Sequence, residues 1–211
     1  MVGTLAFALL HTIAWLIRLW LTRAHWKRAA PAPGEKLYRR FDRFQRMLHL
    51  FMLLSFFTLA LTGMTLKFSY MKWALVLSQV LGGFEAMSVM HRLGAVTLTC
   101  VFFVHLFELR RRRKTAGLTW KQMIFGPESI LLSFRDVKEV VASMKWFIGL
   151  GPRPRYGRYT YWEKFDYFAV FWGVMVIGST GGILWFPEFF TYIVPGWCVN
   201  VATIIHRDAA L

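Results

Sequence analysis

Residues 90–114, MHRLGAVTLTCVFFVHLFELRRRRK, constrain the fold of this chain more than any other stretch. They form one apolar run, long enough to cross a bilayer as a helix, with a histidine near each end and a basic cluster at 110–114. His91 and His105 are fourteen residues apart. At about 100° per residue that is nearly four whole turns, so both imidazoles leave one helix face about 40° apart. At a rise of about 1.5 Å per residue they lie about 21 Å apart along the axis. One histidine is then near each membrane surface, and both point the same way. Two flat cofactors stacked across a bilayer need this geometry, and haem is the natural candidate. A lone histidine at a helix end just as readily sits among headgroups. Two on one face favour function, because ionisable side chains inside membrane spans are costly.

Composition supports a membrane setting. The chain has 211 residues, one domain's worth, and is 56% hydrophobic, with 20 Phe and 10 Trp gathered in long runs. The net charge of +15 would suit a nucleic-acid partner, but its distribution argues against one. Connectors 22–46 and 110–165 hold 8 and 13 of the 26 Lys and Arg residues, the positive-inside pattern, so both should be cytoplasmic. His49 and His105 then lie near the inside, and His91 and His206 near the outside. Cys100 and Cys198 are the only cysteines and no Cys-x-x-Cys-His is present, which excludes covalent haem attachment and leaves no disulfide framework.

In chain order, residues 2–21 are a first apolar run with no basic start and no small-residue cleavage site. They are expected to be an anchor helix rather than a removed signal peptide, spanning the membrane or lying in its interface, with His11 packed against a neighbouring helix. The basic connector breaks at Pro31-Ala-Pro33-Gly34 and then alternates arginine with aromatic residues up to Arg43 and Arg46. Those arginines suit lipid phosphates, and some suit haem propionates, which guanidinium holds bidentately. Residues 47–66 form a second span. His49 opens it, and Gly63 follows fourteen residues later on the same face. Glycine there admits a flat ring against the backbone, or serves ordinary helix packing. Residues 67–89 connect to the organising span. Residues 130–150 are expected to be an amphipathic helix on the membrane surface. Residues 167–186 are a fourth span whose small residues, 178–182, admit close packing by a helix or a ring. An aromatic, almost uncharged connector leads to His206-Arg207-Asp208. The expected fold is an all-α transmembrane bundle of about four spans plus the surface helix.

Four motifs carry a family likeness: Arg43-Phe-Gln-Arg-Met-Leu-His49, Leu61-Thr-Gly63, His91-Arg-Leu-Gly94 and Ile-Ile-His206-Arg-Asp208. Together they resemble the membrane cytochrome b subunits of bacterial formate dehydrogenases and nickel–iron hydrogenases, and most of all the cytochrome b-domain proteins that sit beside multihaem c-type cytochromes. The likeness covers residues 36–211 and leaves 1–35 as an anchor helix and basic linker. It implies two b haems, one per leaflet of the bacterial cytoplasmic membrane, passing electrons between a quinone and a redox partner such as a multihaem c-type cytochrome or an iron–sulfur protein. Its motifs point to His49, His91 and His206 as iron ligands, with haem contacts expected from Gly63, Gly94, Arg43, Arg46 and Arg92; His105 joins the expected ligands as the only other histidine in the chain at the depth of His49. No catalytic residue is expected in the chain itself.

The family pattern also has a further helix beginning near His206 and bearing a second histidine, whereas this sequence has five residues after His206. His91 with His206 is therefore the expected outer pair. The inner pair is His49 with His105, or His49 with a histidine on the missing helix. Two other classes compete: a histidine-based transporter or proton relay, and a haem-free anchor. Against a transporter stand the absence of an internal repeat and a single carboxylate, Glu108, within the expected spans.

Overall fold

A computed structural model describes residues 2–22, 41–126 and 129–209, and no strand occurs among them. The breaking motif at 31–34 and the aromatic–arginine run at 38–40 lie outside the described residues. The helices are α1 (Val2–Thr22), α2 (Arg43–Lys67), α3 (Lys72–Val80), α4 (Gly83–Thr115), α5 (Trp120–Phe125), α6 (Phe134–Phe147), α7 (Tyr161–Gly173), α8 (Ser179–Trp185), α9 (Pro187–Thr191) and α10 (Trp197–Ala209). A π turn, Val174–Gly178, joins α7 to α8.

Three helices are long and apolar enough to cross a membrane: Arg43–Lys67, Gly83–Thr115 and the continuous Tyr161–Trp185. This is the pattern of a multi-pass membrane protein. The expected count is about four; α1 is apolar over the shorter stretch Ala6–Thr22, so the described residues hold three helices of spanning length and a shorter apolar one. Local chemistry moves several boundaries. The helix around His91 begins at Gly83, seven residues before the apolar run, because Gly82 and Gly83 both take φ 90° and turn the chain out of α3. The last span begins at Tyr161, six residues early. There Thr160 and Glu163 form a capping box: Glu163 accepts from the Thr160 backbone N–H at 2.9 Å, and the Thr160 hydroxyl accepts from the Glu163 N–H at 3.2 Å. His206 does not end a connector; it lies in the last turn of α10.

The chain divides into two compact units, one of Phe41–Trp120 and Phe168–Leu211, the other of Met1–Arg40 and Lys121–Tyr167. The stretch 121–167 groups with the N-terminal helix.

In the first unit α2 and α4 run antiparallel, with Gly63 beside His91 and Asp42 beside Arg112. The positions they bury together with α3 are mostly small or polar, Thr62, Thr65, Ala74, Ser78 and Gly94, with Met87 as a large apolar exception, while Phe57 and Phe107 are 63% and 68% exposed. In lipid no hydrophobic force drives helices together, so close approach through small residues does the packing and large apolar side chains face outward. The buried hydroxyls are satisfied within their own helix: Ser55 donates to Phe51 O at 2.7 Å, Thr62 to Thr58 O at 2.6 Å and Thr65 to Leu61 O at 2.8 Å. α2 starts on an Asp42 capping box, in which Asp42 accepts from the Gln45 N–H at 2.8 Å and Gln45 accepts in return at 3.1 Å.

The second unit confirms a helix within 130–150 but shortens it to Phe134–Phe147, ended by Gly149 at φ 82°. Its buried face is polar, with Asp136, Glu139 and Ser143 beside Trp146, and its exposed face carries Phe134, Val137 and Val141. The Lys164 ammonium lies 2.8 Å from the Asp136 carboxylate, both nearly buried. Burial raises the Asp136 pKa, but hydrogen bonds from Lys164 and Ser133 outweigh it and hold the carboxyl below its usual range. Burial, then the neighbouring Asp136, push Glu139 above its usual range. His11 packs as expected: its ring stacks on Trp162 at 4.4 Å and Nε2 shares a hydrogen bond with the Tyr161 hydroxyl.

Candidate functional site

α4 carries His91 and α10 carries His206 to one place in the larger unit. Their ring centroids are 6.2 Å apart and their planes meet at 86°. Each imidazole lies on a glycine of another helix. A Cβ on Gly63 would stand 3.2 Å from His91 Cε1, and one on Gly181 would stand 2.9 Å from His206 Cε1. The first contact is tight and the second cannot exist without movement, so α2 and α8 reach these rings only because no side chain intervenes. Each glycine follows a threonine that meets the same ring. Thr62 Oγ1 lies 2.9 Å from His91 Nδ1, and Thr180 Oγ1 lies 3.3 Å from His206 Nδ1. The Ile177 carbonyl, within the π turn, accepts from His206 Nδ1 at 3.0 Å.

Other expected site residues are placed differently. The room left at Gly63, expected for a flat cofactor, is taken by the His91 imidazole itself. Gly94 serves packing, since a Cβ there would meet Leu59 Cγ at 3.2 Å and Thr58 Cγ2 at 3.4 Å. The Arg92 guanidinium stands over the Trp185 ring at 5.6 Å, a cation–π contact. Arg43 and Arg46 are exposed on the first turns of α2.

The second expected pair shares a depth without sharing a contact. His49 lies fourteen residues before Gly63, and His105 fourteen after His91, so the antiparallel register puts both about 21 Å from the first pair. His49 is exposed and, among the described residues, makes no hydrogen bond, ion pair or ring contact; His105 is half-buried. At this end Glu108, 6% exposed, accepts from Arg111 and Arg112 at 2.8 and 2.9 Å. Arg112 also reaches Asp42 at 2.9 Å. The carboxylate inside the span is thus part of the clasp that sets the register of α2 on α4. An open groove lined by Phe44, Val104, Phe107, Glu108 and Arg111 lies beside it.

Sequence reasoning missed Thr62, Thr180 and Ile177. A signal for the first two was available: the dipeptide Thr-Gly recurs at 62–63 and 180–181, once in each span that backs a histidine. Comparison of the chain with protein families, with curated proteins and with solved structures finds no match.

Proposed function

We propose that the chain is a membrane cytochrome b subunit that carries electrons across the bacterial cytoplasmic membrane through two b-type haems, between a quinone pool and a redox partner. The observation that carries this is the His91–His206 pair. Metal–nitrogen bonds of about 2 Å on each side of one ion set two imidazole centres about 6 Å apart; these rings are 6.2 Å apart. Among the described residues no group of three or more His, Cys, Asp or Glu is positioned to hold a metal. A two-histidine site suits a metal that arrives with its own equatorial ligands, as in haem. His91 and His206 would be the axial ligands of the outer haem, with Gly63 and Gly181 letting α2 and α8 back the two imidazoles. His49 and His105 stand at the right depth for the inner haem. A haem held by two histidines would be suited to electron transfer rather than oxygen chemistry. Ligation, burial and the local field come from the protein; the haem supplies the redox couple. The partner would be a multihaem c-type cytochrome or an iron–sulfur protein, with lipid against the apolar helix faces.

The chain purified from membranes should be red, with a sharp reduced α-band and two haems per chain that acid–acetone extracts. A folded chain without haem absorbance overturns the proposal and returns the transporter and the haem-free anchor.

A further inference from the structure

The protons around the two imidazoles can be counted. Thr62 has one hydroxyl proton, and its Oγ1 lies 2.6 Å from the Thr58 carbonyl, which can only accept. That proton is therefore spent, and at the 2.9 Å contact with His91 Nδ1 the threonine oxygen accepts. His91 thus carries its proton on Nδ1. His206 reaches the same state by another route. Its Nδ1 lies 3.0 Å from the Ile177 carbonyl, again an obligatory acceptor. Thr180 gives its own proton to the Val176 carbonyl at 2.8 Å, and its oxygen, 3.3 Å from His206 Nδ1, is left to accept. A neutral imidazole holds one proton. With both protons on Nδ1, both Nε2 atoms are bare lone pairs on rings 6.2 Å apart.

We propose that Thr62 and the π turn Val174–Gly178 are positioning devices that hold His91 and His206 as Nδ1–H tautomers with Nε2 free for iron. This role rests on the haem-binding function proposed above. π turns interrupt helices most often at functional sites, and this one carries the Ile177 carbonyl to His206. The second partner of a metal-bound histidine fixes its tautomer and raises its basicity. Acceptors at both Nδ1–H groups therefore favour the ferric state and lower the potential of the outer haem.

The test uses the full chain in lipid nanodiscs. Thr62→Val keeps the shape and removes the acceptor; Thr62→Ser keeps the hydroxyl. In the haem-loaded chain, Thr62→Val should move the outer haem to a more positive potential and weaken haem retention about 10- to 100-fold, while Thr62→Ser stays at the wild-type values. Wild-type potential and retention in a folded Thr62→Val chain overturn the inference and leave the haem proposal standing. In the full chain produced without haem, ¹⁵N-histidine spectra read the tautomer directly. His91 should be Nδ1–H in the wild type and a mixture in Thr62→Val; a wild-type His91 protonated on Nε2 overturns the inference even if Thr62→Val fails to fold. A chain that never takes up haem overturns the function proposed above, and the same spectra still decide the tautomer.

Discussion

Gly181 sets how closely α8 approaches His206, and a methyl group there would stand 2.9 Å from the imidazole, against 3.2 Å for the corresponding contact of Gly63 with His91. Gly181→Ala should therefore push the His206 ring away and empty the outer haem site while sparing the inner one. Gly63→Ala should act in the same direction and less strongly. Haem per chain with reduced spectra measures both, and wild-type values for both would reduce the glycines to helix packing. The inner site is decided by two other single residues. His49→Ala should remove the inner haem whichever residue is its partner. His105→Ala should remove it only if His105 is the second ligand; both haems retained with unchanged low-spin spectra would exclude the His49–His105 pairing and point to a histidine outside this sequence.

At the scale of the element, α6 departs from a soluble surface helix, because its two carboxylates, Asp136 and Glu139, are buried while Phe134, Val137 and Val141 are exposed beside Arg135, Lys138 and Lys145. Glu139 is where this arrangement is least comfortable: its Oε2 is buried with no hydrogen-bond partner among the described residues, and burial holds its pKa above the usual value. The folded unit then binds this proton more tightly than the unfolded chain does, so its stability falls as pH rises through the unfolded value of about 4.3. Glu139→Gln removes the titration. The variant should melt higher than the wild type at pH 7, with the gap closing below about pH 4. Asp136 runs the opposite way: its folded pKa is depressed, so its contribution is present above about pH 3.9 and is lost on acidification in both proteins. A melting-temperature gap independent of pH would show that Glu139 is not the titrating group.

At the scale of the molecule, three helices of spanning length predict a sidedness. The two basic connectors lie before α2 and between α4 and α7, so the two crossings between them, α2 and α4, put both on one side, which their charge predicts to be the cytoplasmic one. On a cysteine-free background, Tyr70→Cys, in the exposed turn between α2 and α3, should react with a membrane-impermeant maleimide from outside the cell. Lys121→Cys should react only after the membrane is opened. Reversed accessibility would invert the orientation and exchange the inner and outer histidine pairs.

Length, apolar run and charge are local quantities, and they sufficed for the three helices of spanning length, the helix within 130–150 and the fourteen-residue spacing that puts His49 level with His105 and Gly63 level with His91. The helix starts at Gly83 and Tyr161 were also local, written in Gly82-Gly83 and in Thr160-x-x-Glu163, but the hydropathy that defines a span does not record them. What faces what is not local. A helix turned by one residue rotates about 100° and keeps every sequence spacing while exchanging every neighbour. The fall of the His91 imidazole into the space at Gly63, the spending of Gly94 on Leu59, the exposure of His49 and the meeting of His206 with Ile177 all follow from the rotation and register of packed helices. Those are set by contacts such as Asp42–Arg112, between residues seventy positions apart, and only the tertiary structure decides them.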